Sequence, residues 1–310
     1  MNKKPYRNRP FIIAELSGNH NQSKDLALSL IRSAAKAGVS AVKLQTYTPE
    51  CLTIRGAFTI TEPSSPWRGR ELYELYEEAN TPWEWHEDLY LAARDEGLLC
   101  FSSPFSTRAV EFLETLNNPI YKVASFEINH APLLQSVAET RKPVILSTGG
   151  STISEIDEAV NILRKYGCQD LTLLKCTSAY PADPKEINLR TIPHMAELFG
   201  CDVGLSDHTL GIGVSVASIG FGVTCIEKHL TMSRAAGGVD SAFSMEPHEM
   251  AKLVRETNNA FDALGRVFYG LEVEEKKVSA GKRSIYASRD ITFGEIFTEE
   301  NIRVIRPGYG

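Results

Sequence analysis

Polar side chains recur along this chain at the ends of short apolar runs. They are Glu15; Lys43 with Gln45; Ser102 with Ser103; Lys122 with Ser125 and Glu127; Ser147 with Thr148; Thr177 with Ser178 and Tyr180; Asp207 with His208; and Glu227 with His229. Each can hydrogen-bond, ionise or hold a metal. His208 and His229 carry the most specific chemistry. Two imidazoles brought to one ion leave coordination positions open for water and a substrate oxygen, as a catalytic rather than structural metal site requires. Imidazole also suits transition metals. A single histidine at such a place would read as a core hydrogen-bonder, so the pairing is what argues for an ion.

These groups can meet only if the elements beneath them converge. Eight apolar runs of strand length, at 11–16, 40–46, 98–103, 121–125, 143–148, 171–178, 202–207 and 223–230, alternate with segments of helical period. Ser23 caps the first helix, whose buried side is Leu26, Leu28, Leu30, Ile31, Ala34 and Ala35, and Gly38 closes it. After an insertion over 47–80, Thr81 and Pro82 open a helix to Glu96 as N-cap and first-turn proline. Further helices are expected from near Thr107, Pro132, Ser154, Leu189, Gly213 and Glu246. Strands that alternate with helices run parallel, because each crossover returns the chain to the same sheet edge. Eight such units predict a (β/α)8 TIM barrel over 1–265, with an open doubly wound sheet as the competitor. In a barrel all the strand ends listed above face one mouth. A polar link, 266–282, then precedes 283–310, which reads as short strands and turns, too short a piece for a core of its own.

Composition narrows the classes. Thirty-three Lys and Arg against 39 Asp and Glu give a net charge of −6, which disfavours a nucleic-acid coat or polybasic membrane anchor. The longest uncharged stretch, 209–226, is broken by Gly, Ser and Thr and does not supply the ~20 apolar residues of a membrane span. The start reads as no signal peptide, since Glu15 ends the apolar run from Phe11. The cysteines at 51, 100, 168, 176, 201 and 225 form no Cys-x-x-Cys pair, the usage of a reduced, cytoplasmic protein.

The segments Ala14–Asn21, Val42–Thr46, Ser103–Phe105, Tyr121–Glu127, Leu146–Gly149, Gly204–Thr209 and Ile226–His229 together resemble the N-acetylneuraminate synthase family. Trp67–Tyr76, Leu174–Pro181 and Asp240–Ser244 are most similar to its pseudaminic acid synthase branch, and 283–310 is similar to the opening of the family's antifreeze-like (SAF) domain. The resemblance implies condensation of phosphoenolpyruvate with the open-chain aldehyde of an N-acetylated amino sugar, giving a nine-carbon 2-keto acid and phosphate. It implies a divalent ion on His208 and His229, Mn²⁺ first, with Mg²⁺ or Co²⁺ as alternatives. It places Lys43, Ser103, Lys122, Ser125, Ser147, Ser178 and Ser206 around phosphoenolpyruvate, where cations and neutral donors suit a polyanion. Ser178 stands where some relatives have Asn. Glu127, with Glu15, is the implied catalytic carboxylate, and Glu15, Gln45, Tyr180, Asp240 and Arg306 are implied sugar contacts. Arg306 would reach the sugar's acetamido group in a second copy, making a domain-swapped homodimer.

Plainer readings stand beside these. Lys43 could be a buried ion pair with Glu227, each serine an ordinary strand-end hydrogen-bonder, Asp240 a turn residue after Gly237 and Gly238, and Arg306 a surface side chain. His20 is placed at the mouth of the site and His194 on a helix as a structural residue. A Schiff-base aldolase using Lys43 or Lys122, or an inactive ligand-binding barrel, would also use this architecture.

Overall fold

The computed structural model describes residues 9–63, 65–277 and 281–309. Eight strands close a parallel barrel in chain order: β1 Phe11–Glu15, β2 Ala41–Thr46, β3 Leu99–Pro104, β4 Tyr121–Val123, β5 Val144–Ser147, β6 Leu171–Cys176, β7 Asp202–Ser206 and β8 Cys225–His229. Closure comes from β8 pairing with β1, Phe11 opposite Cys225 through Glu15 opposite His229. The fold is the expected (β/α)8 barrel. Strands β4, β5 and β6 end one or two residues earlier than the apolar runs suggest. Ser125 already begins a 3-10 turn, Ser125–Glu127, which swings Glu127 out of the ladder.

The helices form where local chemistry favours them. Ser23 Oγ accepts from the Leu26 N–H to open Lys24–Ala37, and Gly38 closes it with φ 82°. Thr152 and Glu155 make a reciprocal capping box on Ile153–Lys165. The helix expected from Thr81 differs. A 3-10 turn, Trp83–Trp85, comes first, then His86–Asp95, and Thr81 spends its hydroxyl on His20 Nε2 at 3.2 Å instead of capping. The 47–80 insertion is not featureless. It folds into two short helices, Pro49–Leu52 and Leu72–Ala79.

Strand alternation sorts the barrel into two cores. Outward residues such as Ile12, Ala14, Val42, Leu44, Leu146, Leu173, Val203 and Ile226 pack under the helices. Inward residues Phe11, Ile13, Ala41, Phe101, Ile120, Ile145, Leu174 and Cys225 plug the N-terminal end of the barrel. The next inward position along the same strands turns polar: Glu15, Lys43, Lys122, Ser147 and Glu227. The site therefore rests on an apolar floor.

A boundary between Leu264 and Gly265 separates the barrel from a second unit. In that unit β9, Ser284–Ala287, pairs antiparallel with β10, Ile302–Ile305, and Asn301 is buried, donating to Glu295 and to the Ile296 carbonyl. The stretch expected as a plain link carries a short helix, Val273–Lys277, and residues 278–280 of it lie outside the described residues. Among the described residues no helix is long and apolar enough to cross a membrane.

Gly204 shows how tightly the interior is filled. A Cβ there would lie 2.4 Å from Cys225 Sγ and 2.6 Å from the Cys225 carbonyl oxygen. Gly204→Ala is expected to lower stability by ~1–3 kcal/mol through overpacking, measured by denaturant unfolding.

Candidate active site

Four charged side chains occupy the barrel interior above its apolar floor. Lys43 Nζ lies 2.8 Å from Glu15 Oε2 and 3.1 Å from Glu227 Oε2, and Lys122 Nζ lies 3.9 Å from Glu227 Oε1. All four are buried. Neutral donors complete the carboxylates: the Ser17 N–H and Gln45 Nε2 donate to Glu15 Oε1 at 3.1 and 2.9 Å, and the Ser206 hydroxyl donates to Glu227 Oε1 at 3.1 Å. Burial works against every charge here, and the partners decide the outcome. Glu227 is driven down to about 2 despite its burial, by Lys122 and Lys43. Burial raises Glu15 in spite of Lys43, while Lys43 rises because Glu15 and Glu227 outweigh its desolvation. Lys122 is lowered by burial, which Glu227 only partly offsets.

Beside Lys122 the hydroxyls gather. Gly149 N–H donates to Ser125 Oγ at 3.0 Å, and a Cβ on Gly149 would lie 2.2 Å from Ser178 Oγ and 3.0 Å from Cys176 Sγ. Glycine is what lets these three side chains converge. Ser147 Oγ is buried and has no hydrogen-bond partner among the described residues. Glu127 Oε2 is likewise unpartnered, and burial pushes its carboxyl up to about 7 against the pull of Lys122.

His208 and His229 face each other across the ends of β7 and β8, ring centroids 5.3 Å apart. His208 Nδ1 lies 3.0 Å from the Thr177 carbonyl, which only a protonated Nδ1 can satisfy and which leaves Nε2 as the ligating nitrogen in the neutral ring. His229 Nδ1 is 3.2 Å from Ser17 Oγ. Burial and His208 hold His229 well below the ordinary histidine range, so it is a neutral donor. His208 is raised despite burial, because the Cys176 thiol 3.9 Å away and the Thr177 carbonyl favour its charge. Each ring thus has a polar partner on its Nδ1, which fixes its orientation. Among the described residues no three His, Cys, Asp or Glu side chains are grouped to hold an ion, so the fit is to an open site of two imidazoles.

The cavity above these groups measures about 270 Å³. Tyr180 stands over the histidines, 4.5 Å from the His208 ring, and packs against Phe243 at 5.0 Å and Trp67 at 5.7 Å. Trp67 is held by its Nε1–H on the Val239 carbonyl at 2.8 Å. The insertion supplies the roof, with Ile60, Leu72, Leu75 and Tyr76 on the wall. Asp240 also lines the cavity. Burial raises its carboxyl, opposed by hydrogen bonds from Ser17 and the Gly18 N–H.

Comparison with known proteins agrees with this geometry. The NeuB family model matches residues 30–269. The chain belongs to the NeuB family. It is 43% identical over 303 residues to the pseudaminic acid synthase of Campylobacter jejuni subsp. jejuni strain 81-176, covering 97% of this chain and 88% of that one. The pseudaminic acid synthase of Helicobacter pylori is 41% identical, with 97% and 89% covered. Among solved structures, the N-acetylneuraminic acid synthetase of Leptospira borgpetersenii, crystallised with citrate, superposes with a TM-score of 0.78 at 32% identity, covering 87% of this chain and 90% of that one.

Within this NeuB barrel the residues singled out from sequence are largely brought together. Glu15, Lys43, Gln45, Lys122, Ser125, Glu127, Ser147, Tyr180, Ser206, His208, His229 and Asp240 all line the cavity. Ser103 and Ser178 stand just beside it, Ser103 Oγ accepting from Lys43 Nζ at 3.4 Å. Arg306 is exposed in the second unit. His20 is not at the mouth. It is buried against Trp85, its Nδ1 accepting from the Gln22 N–H at 3.2 Å. Ser102 and Asp207, counted among the strand-end groups, turn outward, and Ser102 bonds Thr46 Oγ1 at 2.6 Å. Lys43 proves to be a buried ion pair with Glu227 while also lining the site. Glu227, read from sequence as a strand-end group and a partner for Lys43 but given no place among the site residues, lines the cavity two residues before His229 on one strand face, as period-two counting would have supplied. Cys176 carries the same signal, whereas Trp67, Tyr76 and Phe243 lie in segments singled out only by resemblance and have no period that would place them in the site.

Lys43→Met would leave Glu15 and Glu227 facing each other without their shared cation. Stability is expected to fall by ~3–5 kcal/mol in chemical denaturation, and adding Glu227→Gln should recover part of the loss.

Proposed function

We propose that the chain is a pseudaminic acid synthase. It joins phosphoenolpyruvate and water to 2,4-diacetamido-2,4,6-trideoxy-L-altropyranose, giving pseudaminic acid and phosphate for bacterial surface-glycan or flagellin sugars. One observation carries the reading: Lys43, Lys122, Glu127 and the two imidazoles share one barrel mouth in a chain 43% identical to a synthase of that name.

The residues suit each part of the chemistry. Phosphoenolpyruvate carries close to three negative charges. Lys122, with one carboxylate at 3.9 Å, is the cation most available to it, and the Ser125, Ser147 and Ser206 hydroxyls add neutral donors. Lys43 keeps Glu15 and Glu227 from repelling that anion. His208 and His229 would hold the divalent ion, Mn²⁺ or else Mg²⁺ or Co²⁺, which when bound supplies Lewis-acid polarisation of the sugar's aldehyde oxygen. The enol C3 of phosphoenolpyruvate attacks the aldehyde carbon, leaving an alkoxide; water adds at C2, and the tetrahedral intermediate expels phosphate, which takes the C2 hydroxyl proton as the ketone forms, while the proton shed by the attacking water ends on the alkoxide. Glu127 Oε2, unpartnered and poised near neutrality, takes the proton of that water. Glu15, Gln45, Tyr180 and Asp240 contact the sugar, and Arg306 is part of the same proposal as a contact offered by a second copy. Six cysteines spread over the chain with no Cys-x-x-Cys pair support a reducing, cytoplasmic setting.

The aromatic wall of Trp67, Tyr180 and Phe243 favours a 6-deoxy sugar, whose methyl loses nothing by leaving water. With Mn²⁺, phosphate release is expected with the 6-deoxy-altro sugar at a kcat/KM at least ~10-fold above that for N-acetylmannosamine or the legionaminic precursor. Preference for either of those sugars would reassign the substrate, and no turnover with any would leave an inactive binding barrel. The kcat/KM of the native chain should rise with pH through about 7 as Glu127 loses its proton. Glu127→Gln should abolish that inflexion and lower the rate by ~10²–10⁴.

A further inference from the structure

One buried ion pair near the site has no part in the chemistry above. Asp207 and Lys228 each stand one residue before a histidine, and alternation turns both to the outer face of the barrel. Lys228 Nζ donates to Asp207 Oδ2 at 3.0 Å and to the Thr209 carbonyl at 2.6 Å. Asp207 Oδ1 accepts from the Thr209 N–H and hydroxyl at 2.9 and 2.7 Å, and Oδ2 also accepts from the Ser215 hydroxyl on helix Gly213–Ile219. Both side chains are at most 2% exposed.

The backbone ladder is short there, although the Asp207 N–H still donates to the Glu227 carbonyl at 3.0 Å just before His208. Strands β7 and β8 share two register pairs, Leu205 with Ile226 and Ser206 with Glu227, whereas their other neighbours, β6 with β7 and β8 with β1, share five each. His208 lies beyond the last of those two pairs. On the inner face the Ser206 hydroxyl ties to Glu227, and on the outer face Lys228 ties to Asp207 and Thr209, so the two residues flanking His208 are both held to β8. A buried ion pair adds little net stability over an apolar pair of the same shape, so its effect is sought in geometry.

We infer that Asp207 and Lys228 are positioning residues that fix the separation of the His208 and His229 rings and thereby the affinity of the divalent-ion site. The inference rests on the metal reading above, and the experiment separates the two. Asp207→Asn combined with Lys228→Met removes both charges while Asn keeps an acceptor for Thr209. Mn²⁺ binding to the intact chain is followed by electron paramagnetic resonance of the free ion, beside thermal melting. The double variant is expected to stay folded yet bind Mn²⁺ about 10- to 100-fold more weakly, with kcat recovered at saturating Mn²⁺. A purely structural role would shift melting and leave the affinity of the folded chain unchanged. His208→Gln is the reference for loss of a ligand. Unchanged Mn²⁺ affinity in the folded double variant overturns the inference and leaves the metal reading standing. No Mn²⁺ binding by the native chain, or equal binding by His208→Gln, overturns both. Should the double variant not fold, Lys228→Arg keeps the charge and alters its reach. Weaker binding by that variant is then the expected result, and unaltered binding overturns the inference.

Discussion

Lys43 sits between two carboxylates inside a closed barrel, and the rest of the site is arranged around that contact. Removing charges from water is costly, and the cluster persists because each one has an opposite neighbour and further hydrogen-bond donors. The four charges of Glu15, Lys43, Lys122 and Glu227 cancel. A polyanion entering this mouth therefore meets no strong net field. It meets one loosely paired ammonium, a set of hydroxyls, and carboxylates already neutralised from behind. That arrangement reconciles an acidic chain with an anionic ligand, because the cations are concentrated at one point and everything else keeps the carboxylates from opposing them.

The same strands that carry the charges also carry their insulation. In the inward columns an apolar residue comes first and a polar one two positions later, as in Ile13 then Glu15, Ala41 then Lys43, Ile145 then Ser147, and Cys225 then Glu227. The plug below excludes water and sharpens the electrostatics above it. The perturbed groups cluster where those two layers meet. Glu227 is pushed down, Glu127 and Glu15 up, and His229 stays neutral. Groups driven apart in this way within one cavity allow anion binding, ion binding and proton transfer to proceed together near neutral pH.

Substrate shape is decided elsewhere, by segments that break the strand–helix rhythm. The two short helices of the 47–80 insertion and the loops holding Tyr180 and Phe243 build an aromatic and aliphatic wall over the histidines. Chemistry on the strands with a separate wall from the loops is how one barrel family can serve several related sugars.

Much of this was legible in the residues. Eight apolar runs with helical spacers predict a closed parallel barrel, since parallel strands need crossovers and eight of them complete a ring. Residues at strand ends must then share a mouth, so Glu15, Lys43, Lys122, Ser147, His208 and His229 could be named together before any coordinates, and Ser206 was added by resemblance. Their motifs also pointed to the family. The sequence could not choose between the two readings of Lys43, because an ion pair and an anion contact use the same ammonium, and both prove to describe it. Nor could it separate Asp207 from His208 without the register that turns one outward and the other inward. It placed His20 at the mouth, where packing instead buries it against Trp85 and Thr81. Trp67 and Phe243 stood in segments that resemble the family but were given no place in the site, because loop residues follow no period and reach a site only through the path of the folded chain. Local pattern determined the architecture and the chemical inventory. Which of those groups meet, at what distance and with what charge, was decided only when residues far apart in the chain were brought into one low-dielectric space.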